Sequence, residues 1–216
     1  MINPSQQTSY PQTLICGIDE VGRGSLAGPI LSVAALFKGW AVGCVGVDDS
    51  KKLTPKKREE AFRRLLRSEE LIDFGVGEVG VDEIDRIGID QANIFAFDRA
   101  VKALPVRPNY IIVDGVKGAP GFYPHEMLVT PQADGKYPVV GAASILAKVI
   151  RDSLMEELHR EHPIYAWGSN KGYGSKEHIE ALRMHGATIH HRPLFIRDIV
   201  PHQMELFHGS HPRPNQ

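Results

Sequence analysis

The stretch Leu14-Ile-Cys-Gly-Ile-Asp-Glu-Val-Gly-Arg-Gly-Ser-Leu-Ala-Gly-Pro-Ile-Leu-Ser-Val-Ala-Ala-Leu-Phe37 decides the fold. Leu14 to Asp19 reads as a short buried strand and Pro29 to Phe37 as a second, with a glycine-rich turn between them. Asp19 and Glu20 stand where the first strand ends. Two adjacent carboxylates are costly there unless something positive holds them, and a hard divalent cation does so through oxygen ligands. The spacing Gly22-x-Gly24-x-x-Ala27 also resembles a dinucleotide-binding fingerprint, but that motif needs a helix to start at the turn. A P-loop is excluded as well, because Arg23-Gly24 stand where Lys and Ser or Thr are required.

Downstream, Val42 to Val47 reads as a short strand. Thr54 before Pro55 makes an N-cap and first-turn pair, and Leu53, Phe62, Leu65 and Leu66 supply the apolar stripe of the helix that follows. Leu71 to Val79 alternates as a strand would, Val81 to Ile87 suits a short helix, and Asp90 to Leu104 a longer one stopped by Pro105. Tyr110 to Val113 is an apolar run of buried-strand type that stops at Asp114, so a carboxylate again stands at a strand end. Met127 to Val129 suits another strand, Val139 to about Arg160 a long helix, and Lys176 to His185 a last one. Strands first, then helices interleaved with strands, predict a mixed α/β sheet covered by helices.

The chain of 216 residues is long enough for one domain with a substantial core, and 42 % apolar with 24 % charged residues excludes a fibrous repeat or long disorder. No run approaches the roughly 18 apolar residues of a membrane span, and Met1 to Gln12 lacks the features of a signal peptide. A cytoplasmic protein with no membrane partner is expected. Residues 1–13 read as a flexible leader, 14–200 as a single catalytic domain, and the His- and Pro-rich 201–216 as a flexible tail. Cys16 and Cys44 are too few for a disulfide framework and read as reduced thiols. The ten histidines form no metal-protease spacing; His190-His191 either face substrate or belong to the core.

The net charge of −1 says little, but Lys51 to Arg67 holds eight basic residues against Glu59 and Glu60. Such a run suits either a phosphate backbone or a solvated helix face. Carboxylates without histidine or cysteine spacing point to Mg²⁺ or Mn²⁺ rather than zinc.

Six motifs, in order, resemble those of the ribonuclease HII family. They are Asp19-Glu-Val-Gly-Arg-Gly24 with Leu-Ala-Gly-Pro at 26–29, Asp49-Ser-Lys-Lys-Leu53, Val113-Asp-Gly115, Ala142-Ala-Ser-Ile-Leu-Ala-Lys-Val149, Arg151-Asp152 and Lys171-Gly-Tyr-Gly174. The resemblance spans about residues 14–196. It implies a ribonuclease H-like fold, a central mixed β-sheet flanked by helices with a helical C-terminal part. It also implies Asp19, Glu20 and Asp114 as metal ligands and Asp134 as the fourth catalytic carboxylate, with Asp152 as the alternative for that place. Gln132 departs from the family's lysine, which puts a charge contact there in doubt.

The same resemblance implies substrate contacts from Gly22, Arg23 and Gly24, a phosphate contact from Lys51, and packing of Tyr173 on a sugar next to the ribonucleotide. The glycines beside Arg23 let backbone approach closely, and the 2′-hydroxyl is what separates RNA from DNA at one nucleotide. The implied activity is hydrolysis of the RNA strand of RNA–DNA hybrids and cutting 5′ of single ribonucleotides in duplex DNA. Two Mn²⁺ or Mg²⁺ ions would assist, leaving 3′-hydroxyl and 5′-phosphate ends. Ribonucleotide removal and primer clearance by a monomer are the implied roles. The rivals are a hybrid-binding module that does not cut and a different nuclease on the same fold.

Overall fold

Every residue of the strand Ile30–Phe37 (β2) is buried, so this segment has to lie in the middle of a sheet with both faces covered. The computed structural model describes residues 14–38, 53–68, 70–115 and 126–200. The leader 1–13, the strand expected at 42–47, Cys44, Lys51, Lys52 and the tail 201–216 lie outside the described residues.

β2 pairs antiparallel with Ile15–Val21 (β1) on one side and with Ile72–Val79 (β3) on the other. Tyr110–Asp114 (β4) runs parallel to β1, and Glu126–Thr130 (β5) parallel to β4, giving the order β3-β2-β1-β4-β5. The twofold alternation of side chains sorts β2 into two cores. Leu31, Val33, Ala35 and Phe37 pack with the helices Pro55–Arg67 (α1) and Pro138–Glu161 (α4), whereas Ala34 and Leu36 pack with Ile89–Lys102 (α3) across the sheet.

Thr54 caps α1 by accepting from the Lys57 amide, as the Thr-Pro pair predicts, but Leu66 turns outward and Ala61 takes its place in the core. Val81–Ile87 (α2) leads into α3, which ends before Pro105. The first half of α4 is buried on nearly all sides, since the sheet and α1 both cover it, and this is why its apolar periodicity is weak in the sequence. Gly17 makes that burial possible: a Cβ there would collide with the backbone of Val139 and Val140.

Beyond α4 come Trp167–Asn170 (α5), Lys176–His185 (α6) and Pro193–Ile196 (α7), packed around Trp167, Tyr165, Met155 and Leu182. α5 and α7 are single turns of four residues, too short to leave a periodic signal. No helix among the described residues is long and apolar enough to cross a membrane.

Candidate active site

Asp19 and Asp114 meet because of strand register. β1 and β4 are parallel with Ile18 beside Val113, so the next step places the two aspartates side by side. Asp19 lies two residues after Gly17, which faces α4, and Asp114 two after Ile112, which joins the α4-side core; both carboxylates therefore point to the same face. Asp134 arrives from the turn Ala133–Gly135 just ahead of α4, where Gln132 takes a left-handed conformation. Ligand oxygens of Asp19, Asp114 and Asp134 all lie within 4.8 Å of one another.

Each of the three has one oxygen held by a backbone amide: Glu20 donates to Asp19 at 2.9 Å, Ala133 to Asp114 at 3.0 Å and Gly135 to Asp134 at 3.0 Å. These bonds fix the rotamers. Asp19 and Asp134 are buried at 7 % and 5 % exposure. Three carboxylates so close repel one another unless a cation sits among them, and an all-oxygen donor set fits a hard divalent ion. Glu20 lines the same cleft but is not part of the 4.8 Å cluster. Asp152 is turned to Lys148, at 2.7 Å, one turn back on α4.

The cluster opens into a cleft of about 370 Å³. Its wall includes the Gly22-Arg23-Gly24 turn, Tyr173, Ser144, and two cations, Lys148 from α4 and Arg58 from α1. Lys148 and Ser144 carried no assigned role in the sequence, although their i, i+4 spacing on the long helix is legible there. Arg23 pairs with Asp90 at the exposed rim, a contact weak enough for a phosphate to replace.

The turn is held from beneath by two buried arginines: Arg151, which belongs to one of the six motifs but had no role assigned from the sequence, and Arg192, which the motifs do not include. Arg151 donates to the carbonyls of Pro29, Ala27 and Lys171 and to the Ser25 hydroxyl, at 2.8–3.2 Å. Arg192 donates to the carbonyls of Gly28 and Arg23 at 2.8 and 3.0 Å. Burial, then the neighbouring Arg151 charge, pulls Arg192 down to about 9, so it still carries its charge at neutral pH. Gly22 has φ 85° and rests on the Arg151 guanidinium stem, where no Cβ could fit. Its amide donates to the Tyr173 hydroxyl at 3.2 Å, and the Arg151 guanidinium stands 5.6 Å from the Tyr173 ring centre.

Behind Tyr173 lies a proton-ordered network. His178 Nδ1 faces the Tyr173 carbonyl at 2.9 Å and must donate, since a carbonyl only accepts. His178 Nε2 then accepts from Trp167 Nε1 at 3.0 Å and from His191 Nε2 at 3.1 Å, which leaves His191 Nδ1 to accept from the Thr188 amide at 2.9 Å. Burial holds both histidines neutral, with His191 lowered to about 3. His191 therefore belongs to the core and does not face substrate, and His190 lines a different cleft.

A mixed sheet in this strand order, with aspartates gathered from the ends of two adjacent parallel strands and a helix N-terminus, defines a nuclease of the ribonuclease H type. A sequence profile of ribonuclease HII matches residues 16–198. Ribonucleases HII of Sphingopyxis alaskensis and of Wolbachia pipientis subsp. Culex pipiens are 44 % and 43 % identical to this chain; each alignment covers 84 % of it, and 88 % and 90 % of the relatives. The crystal structure of ribonuclease H2 from Pyrococcus horikoshii superimposes with a TM-score of 0.73 at 30 % identity, covering 91 % of this chain and 100 % of that one. The chain belongs to the ribonuclease HII family and is a metal-dependent ribonuclease.

Proposed function

We propose that the enzyme is an endonuclease that hydrolyses the RNA strand of RNA–DNA hybrids and cuts on the 5′ side of single ribonucleotides in duplex DNA, leaving 3′-hydroxyl and 5′-phosphate ends. One observation carries this reading: Asp19, Asp114 and Asp134 meet within 4.8 Å, and the first two line a cleft whose wall holds the Gly22-Arg23-Gly24 turn and Tyr173. The three aspartates, with Glu20 beside them, would hold Mn²⁺ or Mg²⁺. Bound there, two such ions supply activation of water and neutralisation of phosphate charge.

The chain's own groups do the rest. Lys148 and Arg58 line the same cleft as Asp19 and Asp114, so a phosphate entering it meets cations as well as the acidic cluster. The close-set backbone of Gly22 to Gly24 admits a sugar edge and reads its 2′-hydroxyl. Tyr173, half-exposed and anchored at both its hydroxyl and its carbonyl, packs on the adjacent sugar. A catalytic unit over 14–200 acts as a cytoplasmic monomer in ribonucleotide removal and primer clearance.

The test is incubation with a DNA duplex containing one ribonucleotide, a long RNA–DNA hybrid and an all-DNA duplex, each with Mn²⁺, Mg²⁺ or chelator. Metal-dependent cutting of the hybrid and at the 5′ side of the single ribonucleotide, with all-DNA spared, supports the reading. Binding without cutting turns it into a hybrid-binding module, and cutting of all-DNA duplex into another nuclease on this fold.

A further inference from the structure

A second group of metal-ligating side chains stands at the other end of α4, and none of its members lines the acidic cleft. Glu161 ends the helix, His162 caps it, and His190 comes in from the segment ahead of α7. One ligand atom from each lies within 4.8 Å of the other two. The two imidazole centres are 5.4 Å apart and tilted by 58°. No hydrogen bond or ion pair joins these three side chains to another described residue.

Both rings sit on rigid supports. His162 stands edge-on to Tyr165 and Trp167, and His190 edge-on to Trp167. The His190 backbone is tied at both ends, its amide donating to Thr188 Oγ1 and its carbonyl accepting from Gly28. His190 also lines a cleft with Glu78, Asp82 and Glu83, whose charge attracts cations to this side.

We propose that Glu161, His162 and His190 form a binding site for a divalent transition metal of the zinc class, with water completing the shell. Two imidazole nitrogens and one carboxylate oxygen are the donor set such an ion takes, in contrast to the all-oxygen set of Asp19, Asp114 and Asp134. Tetrahedral zinc with ligands at 2.0–2.1 Å spaces neighbouring donors about 3.4 Å apart, so the side chains need close by only about 1–1.5 Å. The bound ion staples the end of α4 to the segment whose Arg192 holds Gly28 and Arg23.

Zinc titrated into the full-length protein, with excess Mg²⁺ present to occupy oxygen sites, tests this. The imidazole resonances of His162 and His190 should shift together at one equivalent, and Tm should rise by roughly 5 °C. Mg²⁺ alone should leave those resonances in place. Glu161→Gln, at an exposed position, keeps the apo Tm and should weaken zinc binding about tenfold; His162→Gln with His190→Gln should remove the Tm rise. Zinc that leaves both resonances unmoved, or that raises Tm equally in wild type and double variant, overturns the proposal, because the ion then sits on other histidines.

Discussion

Two regions of this molecule bury charge, and they handle it in opposite ways. At the acidic end of the sheet, Asp19, Asp114 and Asp134 are brought within 4.8 Å by strand register and a tight turn, like charge against like. Under the Gly22–Gly24 turn, Arg151 and Arg192 are more deeply buried still, yet their charge is spread over carbonyl oxygens of the chain itself. The first region is charged for a ligand; the second is charged for the fold. Carbonyls solvate a guanidinium in fixed directions and so pin every loop that supplies one, whereas carboxylate oxygens gathered at one point make the donor set of a hard cation.

The sharpest way to break this contrast is Asp114→Asn. Losing one of the three charges should lower cleavage by on the order of 10³-fold, equivalent to about 4 kcal/mol of lost transition-state stabilisation. Tm should hold or rise, because repulsion is relieved while the side chain keeps its shape. A fall in Tm would mean that the aspartate is structural like the arginines.

Arg151→Met is the mirror experiment. It strands carbonyls that now accept from the guanidinium, and should cost about 3–5 kcal/mol of stability, a Tm loss of roughly 10 °C or more. The losses should appear first as weakened discrimination between single ribonucleotides and all-DNA, measured well below the variant's Tm. A variant as stable as the wild type would show that the carbonyl cradle contributes nothing.

Protonation probes the neutral network between these regions. His191 is depressed to about 3 in the fold, against 6.5 unfolded, so the unfolded chain binds the extra proton first. Its stability contribution is whole above pH 6.5 and is lost as pH falls from there toward 3, at up to about 1.4 kcal/mol per pH unit. Urea midpoints at pH 7.0, 6.0 and 5.5 should fall in that order, and His191→Gln should flatten the decline.

Tyr173→Phe asks the smallest question. It removes the acceptor of the Gly22 amide and keeps the ring, so about 1 kcal/mol, or roughly fivefold in activity on a single embedded ribonucleotide, is expected to go. Equal losses on long hybrids would detach Tyr173 from junction recognition.

Much of this was legible in the chain before any fold was known. The Thr54-Pro55 cap, the strand Tyr110–Asp114 and the helix Lys176–His185 fall where local pattern puts them, and carboxylates at two strand ends announced a site. Caps, periodicity and strand ends are written in neighbouring residues, so sequence alone determined the α/β sheet, the family and the aspartates Asp19 and Asp114. Tertiary structure alone decided that Asp134 joins those two while Asp152 turns to Lys148, and that Glu20 stands beside the cluster. It alone decided, too, that Arg151, Arg192, His178 and His191 are the frame of the Tyr173 loop. Their bonds reach carbonyls and rings as far as 169 residues away, and backbone acceptors leave no mark on the identity of the residues that carry them.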